Sequence, residues 1–172
     1  MAFWKRSAKT VPAPPPAPAP TAVAPPPRPR PITATNVSRS LIRRAKKDPD
    51  RAIQDCTKAL QHNTSDIGAW SCRAFARALK RDVHGALEDA QNALALNPDE
   101  PAALTARAAA RFAQGDLEGA IDDCSRAVHV DPKQSEAFSL RALAREHIGD
   151  VDAAKSDYAK AIQLDLYESI KA

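Results

Sequence analysis

An Arg-x-x-x-Arg pentapeptide occurs four times at one spacing: Arg39/Arg43, Arg73/Arg77, Arg107/Arg111 and Arg141/Arg145. The interval is always 34 residues, since 73−39, 107−73 and 141−107 are equal. Other positions keep the same step. Ala52, Ala86, Ala120 and Ala154 do so, as do Ala59, Ala93, Ala127 and Ala161. Asp48, Asp82, Asp116 and Asp150 form a third series, and Asp55, Asp89, Asp123 and Asp157 a fourth. A fixed period of this length is the signature of stacked supersecondary units, none of which can bury its apolar face alone. Chains of this kind offer an extended surface to other molecules rather than a catalytic pocket.

Within each unit the pattern reads as two helices with a short break. Gln114-Gly115-Asp116 and His147-Ile148-Gly149-Asp150 mark the break, with glycine ending the first helix and aspartate capping the second. Asp48 and Asp82 take the capping role in the earlier units, and Pro49 stands at the first helical position, where proline is tolerated. Second helices are therefore expected at about 49–62, 83–96, 117–130 and 151–164. Asn97-Pro98 and Asp131-Pro132 end two of them, because the residue before proline disfavours helix. The recurring alanines allow close helix approach and favour helix intrinsically. Ala59-Leu60, Ala93-Leu94, Ala127-Val128 and Ala161-Ile162 add a small-then-large apolar pair to each buried stripe.

The remainder of the chain is different in kind. Eleven of the fifteen prolines lie between residues 11 and 31, which removes amide donors and fixes φ throughout that stretch. A polyproline II arm is expected there, about 65 Å long if fully extended at ~3.1 Å per residue. It serves as a spacer or as a ligand for an aromatic-lined groove, with Arg28 and Arg30 at its end. Charge divides at the same place. Met1 to Lys47 holds ten Lys/Arg and no Asp or Glu, a net +10. The other 15 of the 25 Lys/Arg face all 21 Asp/Glu, a net −6, so an overall +4 conceals a basic arm on an acidic body. Such asymmetry points the arm toward an anionic membrane surface or nucleic acid, or merely keeps it solvated. Phe3 and Trp4 beside Lys5 and Arg6 would add only a weak membrane contact.

The repeated unit resembles the tetratricopeptide repeat. Trp70 and Phe138 match the family's early aromatic, with Leu104 in its place between them. Ala74, Ala108 and Ala142 match the small residue of the first helix. Gly115 and Gly149 match the turn, and Pro98 and Pro132 the closing proline. The resemblance covers Asn36 to Leu166. Its departures are Ser40 and Thr64 in the first unit, Arg81 for the turn glycine in the second, and Leu166 for the final proline. It implies an all-α, TPR-like helical solenoid of about four helix-turn-helix repeats, at 35–64, 65–98, 99–132 and 133–166. The domain is then 35–172, behind a disordered, basic, Pro-rich arm at 1–34.

Two readings of the repeated charges stay open. Each unit sets an arginine of its first helix sixteen residues before an aspartate of its second: Arg39/Asp55, Arg73/Asp89, Arg107/Asp123 and Arg141/Asp157. An offset kept four times implies contact, hence structural ion pairs that fix how the helices cross. Alternatively Arg43, Arg77, Arg111 and Arg145 form a basic ladder for an anionic ligand.

The resemblance also implies a concave groove lined by the first helices. The peptide-binding lining would be Leu41 from the first unit and Ser71, Phe75 and Leu79 from the second. The third supplies Thr105, Ala109 and Phe112, and the fourth Ser139, Leu143 and His147. Family members that clamp a terminal carboxylate use lysine and asparagine on these faces. This small, apolar lining lacks them and suits a helix or an extended segment with apolar anchors.

No catalytic or metal constellation is evident. Ser, His and Asp share no nucleophile–base spacing, and His62, His84, His129 and His147 fall at different points of the repeat. Cys56 and Cys124 stand two repeats apart, too far to bridge, and each is expected to fill an apolar gap. No cofactor is implied. The apolar run at the N-terminus is too short for a secretory signal, so a cytoplasmic location is the expectation.

The sequence thus predicts a non-enzymatic adaptor binding a partner peptide or helix. The alternative is a peripheral tether acting on membrane or nucleic acid through residues 1–47. A further expectation concerns the last repeat. Tyr158, Ile162 and Tyr167 are left partly uncovered there and invite a partner or a second copy of the chain.

Overall fold

The computed structural model describes residues 41–171. The Pro-rich arm, Arg39 and most of the basic segment 1–47 lie outside the described residues. A helical segment at residues 41–47 (α1) leads into α2 (Pro49–His62). There follow α3 (Ile67–Leu79), α4 (Val83–Leu96), α5 (Pro101–Gln114), α6 (Leu117–Val130), α7 (Ser135–His147) and α8 (Val151–Lys171). No strand occurs among the described residues.

The hairpins α3/α4, α5/α6 and α7/α8 occupy the second, third and fourth units, and each stacks on its predecessor. First helices lie beside one another on one side, α3 against α5 more extensively than α5 against α7. Second helices pack on the next hairpin, α2 on α3, α4 on α5 and α6 on α7.

Capping fixes where each second helix begins. Asp48, Asp82 and Asp116 each accept the amide of the residue three places on, at 3.0, 3.1 and 2.9 Å; Asp150 does so at 3.4 Å. These bonds satisfy amides that a helix start leaves without partners. Asp66 caps α3 in the same way through the Ala69 amide, at 3.0 Å. Gly115 and Gly149 end their helices at φ 91° and 87°, in the left-handed region. Arg81 adopts φ 65° at the equivalent turn of the second unit, a conformation that costs a side-chain-bearing residue energy.

The core is built from small side chains. Ala74, Ala86, Ala108, Ala120 and Ala142 are fully buried, and Ala154 nearly so. With only a methyl group between backbones, the helices close on one another. The early aromatic position anchors each first helix: Leu104 is fully buried, Phe138 nearly so, and the Trp70 Nε1–H donates to the Thr64 carbonyl at 2.8 Å.

One boundary differs from the sequence expectation. The last helix does not stop near residue 164 but runs to Lys171. The proline that ends α4 and α6 by position is replaced by Leu166, so the backbone continues to hydrogen-bond as helix. No helix among the described residues is long and apolar enough to cross a membrane.

Candidate functional site

The repeated charges converge on buried nodes. Arg73 donates from Nε and Nη2 to the two carboxylate oxygens of Asp89, each at 2.8 Å. Arg107 does the same with Asp123 at 2.8 and 2.6 Å, and Arg141 with Asp157 at 2.7 and 2.6 Å. The planar guanidinium matches the carboxylate edge, which makes this fork the strong form of an ion pair. Asp89 and Asp123 are each 2% exposed. Their hydrogen bonds hold the guanidinium pKa values of Arg73 and Arg107 above the usual arginine range, against the opposing effect of burial.

A second arginine meets each aspartate. Arg77 Nη1 reaches Asp89 at 2.8 Å, Arg111 Nη1 reaches Asp123 at 2.9 Å, and Arg145 Nη1 reaches Asp157 at 2.7 Å. Arg77 and Arg111 also donate to the carbonyls of Gly85 and Gly119 at 3.2 Å and approach the capping Asp82 and Asp116 at 3.6 Å. Three rungs of the basic ladder, Arg77, Arg111 and Arg145, are therefore half-buried and paired with these aspartates. That reading is corrected, because each cation compensates a buried anion and is not free for a ligand. Spacing alone suggested pairs, whereas the structure makes triads.

These nodes also join neighbouring repeats. Arg73 Nη1 reaches Thr57 Oγ1 on α2, and Arg141 Nη1 reaches Ser125 Oγ on α6, both at 3.2 Å. Arg73 lies 4.9 Å over the Trp70 ring, and Arg141 5.4 Å over that of Phe138. The first unit differs in the exposure of its aspartate. Its Asp55 is exposed and approaches Arg44 at 3.6 Å and Arg51 at 3.8 Å. The partner predicted for it, Arg39, is outside the described residues.

The ten predicted groove residues divide by burial. Ser71, Phe75 and Thr105 are interior, at 1%, 5% and 0% exposure, so these three give a ligand no surface. The Ser71 and Thr105 hydroxyls donate to carbonyls one turn back, Ile67 at 2.8 Å and Pro101 at 2.9 Å. Phe75 belongs to the core shared with Ile42, Cys72 and Ala106. The cause is the close approach of α3 and α5 across their alanines, which closes the middle of the expected groove.

The other members keep some surface. Leu41, Ala109, Phe112, Ser139 and Leu143 are half-buried, while Leu79 and His147 are exposed. Leu79, Phe112, Leu143 and His147 all lie in the C-terminal parts of α3, α5 and α7. The Phe112 and His147 rings meet edge to face at 5.1 Å between centroids, tying α5 to α7 there. His147 Nδ1 is also 2.8 Å from the Leu143 carbonyl. Of the predicted lining, the residues that keep surface are thus Leu41, Leu79, Ala109, Phe112, Ser139, Leu143 and His147.

Sequence reasoning missed a second feature. A cavity of about 630 Å³ lies where α1, α2 and α3 meet. Its apolar wall includes Leu41, Ala52, Ala69, Cys56 and Cys72, and Arg44, Arg51 and Asp55 stand at its charged side. Both cysteines are free thiols. The sequence holds the signal: Cys72 follows Cys56 by sixteen residues, across the boundary between the first two units. No group of three or more metal-ligating side chains occurs among the described residues.

Comparison with known proteins agrees with this geometry. The tetratricopeptide repeat family profile matches residues 135–167. The fold resembles TTC0263, a TPR protein of Thermus thermophilus, with TM-score 0.63 and 23% identity over 76% of this chain and 74% of that one. It also resembles the second TPR of Spaghetti, solved bound to an HSP90 peptide, with TM-score 0.54 and 24% identity over 62% and 98%. The Sgt2 TPR domain of Aspergillus fumigatus is 34% identical over 60% of this chain and 67% of its own, with TM-score 0.54. No curated protein matches the chain. Periodicity, hairpin geometry and the likeness to the Sgt2 domain agree, and the chain belongs to the tetratricopeptide repeat family.

Proposed function

We propose that the chain is a non-enzymatic adaptor that binds a peptide or helix of a partner protein along the C-terminal ends of its first helices. The observation that carries this reading is that Leu79, Phe112 and Leu143 keep apolar surface, with His147 edge to face on Phe112. Leu79 alone is 46% exposed. Apolar surface of this kind suits a segment with spaced apolar anchors, whose side chains gain by leaving water. The Spaghetti domain, which holds an HSP90 peptide, supports the choice of a peptide as ligand. Its mode of binding is not transferred, since the lysines and asparagines of a carboxylate clamp are absent from these positions. A cytoplasmic location belongs to the same reading.

A second surface is supported by α8. Ile162, Leu166 and Ile170 follow one another at helical spacing and are 67%, 60% and 79% exposed. Leu94, the equivalent of Ile162 two repeats earlier, is buried against the next hairpin. The α8 stripe therefore suits self-association or a partner helix. The alternative function, a tether acting on an anionic membrane or nucleic acid through residues 1–47, rests on charge alone.

A pull-down at low and high salt separates these readings, using the full chain and a chain lacking residues 1–34. The adaptor retains the same protein in both forms and at both salt concentrations. Binding that needs the arm and collapses with salt, as phosphate-directed contacts do, overturns it.

A further inference from the structure

Cys56 on α2 and the residue sixteen places later on α3, Cys72, belong to one buried cluster. The same inter-repeat position recurs along the stack. Ala90 and Ala106 share that first cluster, and Cys124 packs with Leu140 in another. Among these three equivalent contacts, the one between the first and second units consists of two thiols. It is also the one beside a cavity, and both thiols line its wall.

The two sulfurs are chemically distinct. The Cys72 thiol donates to the Leu41 carbonyl oxygen at 3.5 Å, and Cys56 shares its buried cluster and its cavity wall. The hydrogen bond from Cys72 lowers the Cys56 pKa, burial opposes this, and the Arg73 guanidinium assists it. The same bond, together with burial, pushes the Cys72 pKa up. Cys56, the more exposed of the two on the cavity wall, is the attacking thiol and Cys72 the resolving one, a division that these pKa directions support. Cys124 has no such neighbour at the matching position, and burial pushes its pKa up.

We propose that Cys56 and Cys72 form a redox-modification site, at which a peroxide converts the dithiol into a disulfide tying α2 to α3. In the first step the Cys56 thiolate attacks one oxygen of hydrogen peroxide. The O–O bond breaks, hydroxide leaves, and Cys56 becomes a sulfenic acid. In the second step the Cys72 sulfur attacks the Cys56 sulfur, the S–O bond breaks, and the Cys72 proton departs with the hydroxyl as water. The hydroxide of the first step takes the proton that Cys56 had lost. In sum, two thiols and one peroxide give one disulfide and two waters, with sulfur oxidised and peroxide oxygen reduced. The cavity is the route for the oxidant, since both thiols line it and Cys56, at 6% exposure against 2% for Cys72, is the more open to it. The bond staples the first unit to the second at the place where the first unit's aspartate, Asp55, faces solvent instead of anchoring a buried node.

The test uses the full reduced chain and hydrogen peroxide. Free thiols are counted before and after treatment, and the oxidised chain is digested and mapped by mass spectrometry. The expected result is a fall from three free thiols to one, with Cys56 linked to Cys72 within one chain and Cys124 still free. Circular dichroism before and after confirms that the fold persists. In Cys72→Ser the resolving thiol is gone, and a dimedone adduct is expected on Cys56. Should that variant not fold, the linkage map of the unaltered chain decides alone. The proposal is overturned if the folded chain keeps both thiols under oxidant, if Cys124 reacts first, or if the disulfides form between chains.

Discussion

Arg107 and Asp123 face each other as a fork, Nε to Oδ2 at 2.8 Å and Nη2 to Oδ1 at 2.6 Å, joining the two helices of the third unit. Asp123 lies at 2% exposure and has a second cation, Arg111. Removing Arg107 leaves a buried carboxylate with half its compensation. Arg107→Ala is expected to destabilise the fold by roughly 1–4 kcal/mol, measured by equilibrium denaturation. Replacing Arg107 and Asp123 together with apolar residues should cost less than Arg107→Ala alone, since no charge remains stranded. A single variant as stable as the parent would show that the node is dispensable.

Arg81 holds φ 65° where Gly115 and Gly149 stand in the next two units. Arg81→Gly is expected to stabilise the chain by about 0.5–1 kcal/mol, because glycine adopts this conformation without steric cost. Thermal unfolding measures the effect as a rise of a few degrees in Tm. A fall in Tm would mean that the Arg81 side chain contributes more than its backbone costs.

The exposed stripe on α8 leads to a third expectation. Light scattering over a concentration series should show self-association of the full chain. Leu166→Asp should reduce it by placing a charge in the middle of the stripe, and Tyr167→Asp tests the edge, where Tyr167 is 56% exposed. A monomer at all concentrations, whose partner binding also ignores Leu166→Asp and Tyr167→Asp, removes this surface from the account.

Much of the architecture could be read from the period. Residues that recur at equal intervals occupy equivalent places, so Ala86 and Ala120 announce the helix contacts and Asp82 and Asp116 the caps. The offset between Arg73 and Asp89 likewise implied their meeting. Four things were hidden. Equivalence along the sequence does not say how closely successive hairpins approach, and that distance decides whether Ser71 and Thr105 line a groove or are sealed between helices. Counting one arginine per aspartate also missed Arg77 and Arg111, which return from the next helical turn to the same carboxylate. Cys56 and Cys72 belong to different units, so no signal within a single repeat brings them together. The length of α8 followed from an absence, that of a proline at position 166, where no positive signal marks the end.

The central claim is that the surface formed by Leu79, Phe112, Leu143 and His147 takes a protein segment with apolar anchors. The most direct measurement is selection of peptides from a random display library on the full chain. Titration of the selected peptides against the parent, Leu143→Asp and Ser139→Ala should follow. The account predicts enrichment of sequences with spaced apolar residues and affinity that changes little with salt. It also predicts a loss of at least about tenfold, or ~1.4 kcal/mol, for Leu143→Asp, with little change for Ser139→Ala. Peptides that bind Leu143→Asp as well as the parent, or that are uniformly acidic and released by salt, would contradict it.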